Sequence, residues 1–367
     1  MAKRTWKTFS ALTAVAFAAG ALLVPGIAKA VDFSGKQITA LVPFKEGGGT
    51  DLLVRLYAGF YEKYLPGKPT VLVRNMPGGG SIRGNNWFHA QKPDGQTYIG
   101  VSTSSQTGFV LGGKKVKYEM TKWSYILAIP HGTVVYARPE TGVKGKNLRD
   151  DITALRNAAL VTGAKNPTSA ELRLFLGLEM LGAKNVKPVF GLSTGQQRKA
   201  MLRGELNINY DTAAAYSKNV IKYAEKGKLI PIMTLGYTNT NGEIVRDPGY
   251  PKLPTIIEAY KAMNGGKLPT GMIWNAYKNF YSMGVMTSKG FALPPNSPKE
   301  VVGAYIEAAK KIAQDAKFKK VAVKQLGAYP ILYDQDARKA FSDAVDVSPE
   351  VREYMKTFIK KKFKANI

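Results

Sequence analysis

Two segments of this chain combine backbone freedom with nearby charge in a way that could seat an anion. The first is Pro43-Phe44-Lys45-Glu46-Gly47-Gly48-Gly49-Thr50-Asp51, between a β-branched run and a stretch of helical period. Glycines let a backbone approach a ligand closely and turn its N–H groups inward. Thr50 or Asp51 is a natural N-cap, and the positive end of a helix dipole would lie beside them. Such a turn can hold a carboxylate, or it can simply connect a strand to a helix and bind nothing. Asp51 would repel an approaching anion, so it reads first as a helix-start residue and second as a ligand contact. A nucleotide P-loop is excluded, because the Gly-Lys-Ser/Thr ending is missing.

The second segment repeats the arrangement. Thr70–Arg74 runs into Asn75-Met76-Pro77-Gly78-Gly79-Gly80-Ser81-Ile82-Arg83-Gly84, and a helix follows. Two such turns in one sheet would both lie at the carboxyl ends of strands, where open α/β sheets bind ligands. Arg83 offers a bidentate, charge-assisted contact to a carboxylate, or is a solvated surface arginine.

Side chains suited to catalysis are sparse. The chain has no cysteine, which removes disulfides, thiol nucleophiles and Cys-ligated metals. Its two histidines, His89 and His131, fall in no metal-binding spacing, and no Gly-x-Ser-x-Gly elbow is present. His89 reads as packed or surface, and His131 as the residue that follows a strand. Carboxylates far apart in sequence can still pair in space, so a glycosidase-like pair stays open. The residues favour a binding protein with no cofactor over an enzyme.

The elements that must position the two turns alternate short β-branched runs with helical stretches, the pattern of an α/β architecture with mostly parallel strands. Ile38–Val42, Thr70–Arg74 and Tyr98–Ser102 read as the first strands. Thr133–Ala137, Ala159–Thr162, Lys187–Phe190, Leu206–Tyr210 and Leu229–Leu235 continue the series. Asp51–Tyr64 places Leu53, Leu56, Tyr57, Phe60 and Tyr64 on one helical face. Further helices are expected near 168–182, 196–203 and 212–226. Thr238–Pro254 reads as a long connection. From Pro298 onward the pattern is almost wholly helical.

At the amino end, Lys3, Arg4 and Lys7 precede an apolar stretch from Ala11 to Val24, and Ala28-Lys29-Ala30 follows. This is the layout of a cleavable export signal over residues 1–30, with an apolar run shorter than a bilayer span. Its removal from the 367 residues would leave 337, enough for two ordinary domains. Four of the chain's formal charges of +27 fall in that segment, so +23 remain. A field of this sign favours anionic partners, whether small molecules, nucleic acid or lipid. No nucleic-acid-binding motif accompanies it, so a nucleic-acid partner is not expected.

The runs ITALVPFKEGGGTDLLVRLYA, VRNMPGGGSIRGNN and QKPDGQTYIGVSTSS, in that order, resemble the N-terminal signature of Bug-type substrate-binding receptors of tripartite tricarboxylate transporters. LRGELNINYDTAAA, KLIPIMTLG, YPKLPTIIEAY and FALPPNSPKEVV are similar to the family's later segments, so the resemblance spans nearly the whole exported chain. It implies a two-lobed periplasmic-binding-protein fold of type II, a Venus flytrap with the ligand cleft between lobes. The first lobe would be 31–131 plus 281–367 and the second 132–280. It also implies a monomeric periplasmic receptor that delivers a small organic acid to the membrane components of a cation-coupled transporter. A sensing receptor for a membrane signalling partner is the alternative, and a hydrolase acting on small anions a more distant one. Carried onto this sequence, the family's ligand contacts fall on Phe44, Gly47, Gly48, Gly49, Thr50 and Asp51, then Pro77, Gly78, Gly79, Gly80 and Ser81. Ser102, Thr103 and Ser104 would line the same cleft. The second lobe would supply Asn166, Thr168, Ser169, the Gly191–Thr194 turn with Ser193, and Asp211. Asp211 is either a counter-ion to a ligand amine or the cap of the helix after it, and the cap is preferred. Arg83 and Lys165 depart from the family pattern and would suit a second anionic group on the ligand.

Overall fold

Strand β1 (Gln37–Val42) is buried along most of its length and pairs in parallel with both β2 (Thr70–Asn75) and β3 (Thr97–Ser102). These three form half of a six-stranded sheet in the computed structural model, which describes residues 31–239, 241–326 and 329–367. The expected export signal, residues 1–30, lies outside the described residues. Of the remaining strands, β4 (Ser124–Ile129) is followed by β5 (Thr133–Ala137), β6 (Leu160–Ala164), β7 (Val186–Phe190), β8 (Ile208–Thr212) and β9 (Ile230–Thr234). A two-residue pair, β10 (Tyr237–Thr238) and β11 (Ile244–Val245), precedes β12 (Lys289–Leu293) and β13 (Leu332–Tyr333). The six-stranded sheet runs β13-β4-β12-β3-β1-β2. Apolar side chains cover both its faces. Tyr57, Tyr61, Tyr98, Phe291 and Tyr305 pack edge-on on one, and Phe88, Trp123, Tyr125 and Phe341 lie on the other.

The second lobe is built on a three-stranded antiparallel sheet, β8-β5-β9, and a parallel pair, β6-β7. The expectation of mostly parallel strands is therefore corrected. Parallel pairing holds for β1 with β2 and β3 and for β6 with β7, while β12, β13 and the β5 sheet run antiparallel to their neighbours. The cause is the exchange of chain between lobes: β12 returns from the second lobe and enters the first sheet from the opposite end. Two further differences concern single segments. Ser124–Ile129 is buried at every position and shows no alternation, so its sequence carries no period to read. The segment 238–254, expected as a bare connection, holds the short β10–β11 hairpin. The carboxyl-terminal region is helical apart from β13, which pairs with β4.

Seven helices matter for the site: α1 (Gly49–Tyr64), α2 (Ile82–His89), α3 (Thr103–Leu111), α4 (Leu148–Asn157), α5 (Leu172–Met180), α6 (Thr194–Arg203) and α7 (Ala213–Asn219). Of these, α5 is buried almost all round, with Leu172, Leu174, Phe175, Leu176 and Leu178 in the core. The last helix, Pro349–Phe363, reaches onto this part of the molecule. The Phe363 ring lies 4.7 Å from Phe175 and 5.5 Å from Phe190, and Lys362 pairs with Glu179 at 2.6 Å.

Candidate functional site: a cleft suited to an anion

Because β1, β2 and β3 are parallel, their carboxyl ends share one edge of the sheet, and both glycine-rich turns emerge there with Ser102. A cavity of about 280 Å³ opens at that edge, at the small end of the range for ligand pockets. Its first-lobe wall is formed by Pro43–Glu46 and Gly48–Thr50, by Pro77–Ser81 and by Ser102–Ser104. Across it stand Lys165, Glu171 and Arg173, the turn Gly191–Gly195, and Tyr210, Asp211 and Thr212. The two turns that sequence singled out thus face one space.

Local geometry explains both turns. Gly78, Gly79 and Gly80 have φ of 146°, 59° and 72°, and Ser81 follows at 122°, so the second turn depends on residues that tolerate the left-handed region. The first turn is braced by Asp51. Its carboxylate accepts from the Gly47 N–H at 2.9 Å, and from Arg55 Nε and Asn75 Nδ2 at 3.0 Å. Gly48, not Thr50 or Asp51, occupies the N-cap position of α1. Asp51 sits in the helix's first turn and shapes the loop from behind, so it and Gly47 lie off the cavity wall.

Helix starts converge on the wall. The amino ends of α1, α3 and α6 all line it, through Gly49–Thr50, Thr103–Ser104 and Thr194–Gly195. Each contributes partial positive charge from its first N–H groups. Ser102 caps α3 by accepting from Ser105 N–H, and Ser193 caps α6 in a reciprocal capping box with Gln196.

Side-chain charges add to this. Lys165 pairs with Glu171, which also accepts from the Ser169 hydroxyl and from Gln197. Burial pushes the Glu171 carboxyl up, but Lys165 and Ser169 outweigh it and hold Glu171 below its ordinary value. Asp211 is buried and takes a bidentate contact from Arg198 at 3.0–3.2 Å, with the Tyr136 hydroxyl donating at 3.0 Å. Burial raises the Asp211 carboxyl despite that pairing. Asp211 is therefore not the cap of α7. The N-cap position is Thr212, and the Asp211 side chain turns toward Arg198 instead. The cavity's two buried acids each have their own cation, and among the described residues no three His, Asp or Glu side chains gather into a metal-binding group.

Lys289 was not legible beforehand. Since β12 runs antiparallel to β3, its first residue pairs with the last residue of β3, Lys289 with Ser102, which delivers the ammonium to the ligand edge. Burial, then Arg173 and Lys165, push the Lys289 ammonium down to about 7, with Glu171 opposing. Arg173 was also missed. A lone arginine within the apolar run of α5 was the available signal.

Several expected contacts lie elsewhere. Arg83 is exposed and packs its methylenes over Gly78, outside the wall. A role for it at the ligand is withdrawn, whereas Lys165 does line the cavity. Asn166, Thr168 and Ser169 stand just behind the wall, held in their own turn: Asn166 Oδ1 accepts from Thr168 N–H, and the Ser169 hydroxyl oxygen accepts from Asn166 N–H. Asn166 also crosses between lobes, its Nδ2 donating to Gly79 O at 2.8 Å. A second crossing joins Ala170 N–H to Ser104 Oγ at 3.1 Å. His89 accepts from Trp123 Nε1 at the far end of α2. His131 is buried in the crossover between β4 and β5, off the cavity, where its backbone N–H donates to Val285 O.

No protein-family model matches the chain. A curated relative, a UPF0065 protein of Bordetella pertussis strain Tohama I, is 34% identical over 139 residues; the match covers 36% of this chain and 41% of that relative. Among solved structures, the periplasmic binding protein BugD superposes with a TM-score of 0.65 at 22% identity, over 90% of this chain and 99% of its own. MatC from Rhodopseudomonas palustris, solved with bound malate, gives 0.63 at 17% identity, over 88% and 98%. The chain has the two-lobed α/β fold of the periplasmic binding proteins, and its resemblance to the Bug-type receptors rests on both that fold and the matched stretch of sequence.

Proposed function

We propose that this chain is a periplasmic solute-binding receptor of Bug type that captures a small carboxylate and hands it to a tripartite tricarboxylate-type membrane transporter. The observation that carries the reading is that both glycine-rich turns and three helix starts face one small cavity between lobes. That arrangement supplies N–H groups and positive dipole ends to an anion. MatC, of the same fold, holds malate, which supports an organic acid as guest.

Capture works by closure. An open form admits the anion, and the turns and helix starts take up its carboxylate. The bonds from Asn166 to Gly79 and from Ala170 to Ser104 then form only when the lobes meet. Contacts special to the closed form are what let a ligand shift the equilibrium toward it. The strong positive charge draws anions toward the cleft.

A thermal-shift screen with mono-, di- and tricarboxylates tests the reading. Saturable stabilisation by at least one acid, with the acid recovered unchanged, is expected. Turnover of any acid, or no stabilisation by all of them, would refute it.

A further inference from the structure

Besides the exposed Lys45, and with Lys165 tied to Glu171, two cations of the cavity wall have no carboxylate partner among the described residues: Arg173 and Lys289. Both are deeply buried, at 2% and 7% exposure. Arg173 donates Nη1 to Gly284 O and lies 4.7 Å from the Tyr210 ring centroid, but its Nε has no acceptor. The hydroxyls of Thr103 and Thr212, on opposite sides of the same cavity, are likewise buried without a partner. The Lys289 stem passes close to Gly49, which Thr212 also approaches, and the residue lines the cavity between the lobes.

Unpaired buried charge is costly, and two like charges in one small cavity raise that cost. A guest bearing two negative charges removes both penalties at once, while a guest bearing one leaves a cation unmatched. We propose that Lys289 and Arg173 are specificity-determining residues that select a short dicarboxylate over a monocarboxylate of the same length. This rests on the receptor reading above. The helix starts serve any carboxylate, and the two side chains decide how many carboxylates the guest carries.

Calorimetric titration of the protein and of Lys289→Met tests this with length-matched pairs: succinate against butyrate, glutarate against valerate, and adipate against hexanoate. Inorganic phosphate is included as a dianion of another class. For the unaltered protein, at least one dicarboxylate should bind about tenfold or more tighter than its monocarboxylate partner, as expected for an added charge-assisted contact. Lys289→Met should weaken that dicarboxylate by about 10- to 100-fold and the monocarboxylate by much less. Its ligand-free melting temperature should hold or rise, because an unmatched ammonium has been removed. Equal binding within every pair overturns the proposal and leaves the receptor reading standing, and it needs no variant. Phosphate binding in preference to every dicarboxylate overturns the assignment to dicarboxylates. Absence of binding by all acids defeats the receptor reading, and this inference with it.

Discussion

Asn166 and Gly80 meet across the cleft so closely that a methyl group on Gly80 would lie 2.4 Å from the Asn166 amide nitrogen. The same amide donates to Gly79 O. The third glycine of the second turn is therefore a requirement of the opposite lobe as well as of its own φ of 72°. Gly80→Ala should obstruct closure. A fall in ligand affinity of about tenfold or more is expected, the size of one lost charge-assisted contact, with a scattering profile that stays expanded at saturating acid. Unchanged affinity would show that the lobes do not close on this contact.

Asn166→Ala removes the bond without adding bulk. A net hydrogen bond contributes about 1 kcal/mol, so affinity should drop about fivefold, over and above the fall in melting temperature that loss of the Thr168 N–H bond brings with or without ligand. The readout is the difference between the two, since a merely structural residue would lower the melting temperature in both states.

Affinity for a dicarboxylate should fall as pH rises above about 7, where the Lys289 ammonium begins to lose its proton. Arg173 and Lys165 face it and favour the neutral form, Glu171 favours the charged form, and His131, itself pushed down to about 3, stays neutral throughout. An anion favours the ammonium, so binding above pH 7 must draw a proton from solvent. Titrations at about pH 8 in buffers of different ionisation heat should reveal that uptake. For the ligand-free fold the sign is opposite. Between about 7 and the ordinary lysine value of 10.5 the unfolded chain holds more protons, so this group's share of stability grows with pH. Flat affinity from about pH 6.5 to about 9, either side of that value, would remove Lys289 from the site.

Arg198→Met leaves the buried Asp211 carboxylate with only the Tyr136 hydroxyl. Breaking one side of such a pair costs about 3–5 kcal/mol, measurable by urea denaturation. Combining it with Asp211→Asn should recover much of that loss, and full additivity of the two would contradict a coupled pair.

The turns were legible because glycine followed by helical period is a local signal, and β1, β2 and β5 were legible from their β-branched runs. The second half of the site was not, because its members depend on strand direction. Lys289 precedes an unremarkable apolar stretch, and only the antiparallel insertion of β12 between β3 and β4 takes a residue type that usually seeks water into the cleft. Arg198 is one of several cations in a polar helix, and nothing nearby in sequence marks it as the partner of Asp211. Asp51 shows the reverse: its place at the helix start was readable, and the loop it braces gives that place its meaning.

The seat of Phe363 between Phe175 and Phe190 bears on how the jaws move. A joint made of two flexible ribbons can twist, slide or yawn. A third bracket, the final helix held to the far jaw by its own aromatic rivet, adds a constraint to any swing that the two ribbons permit.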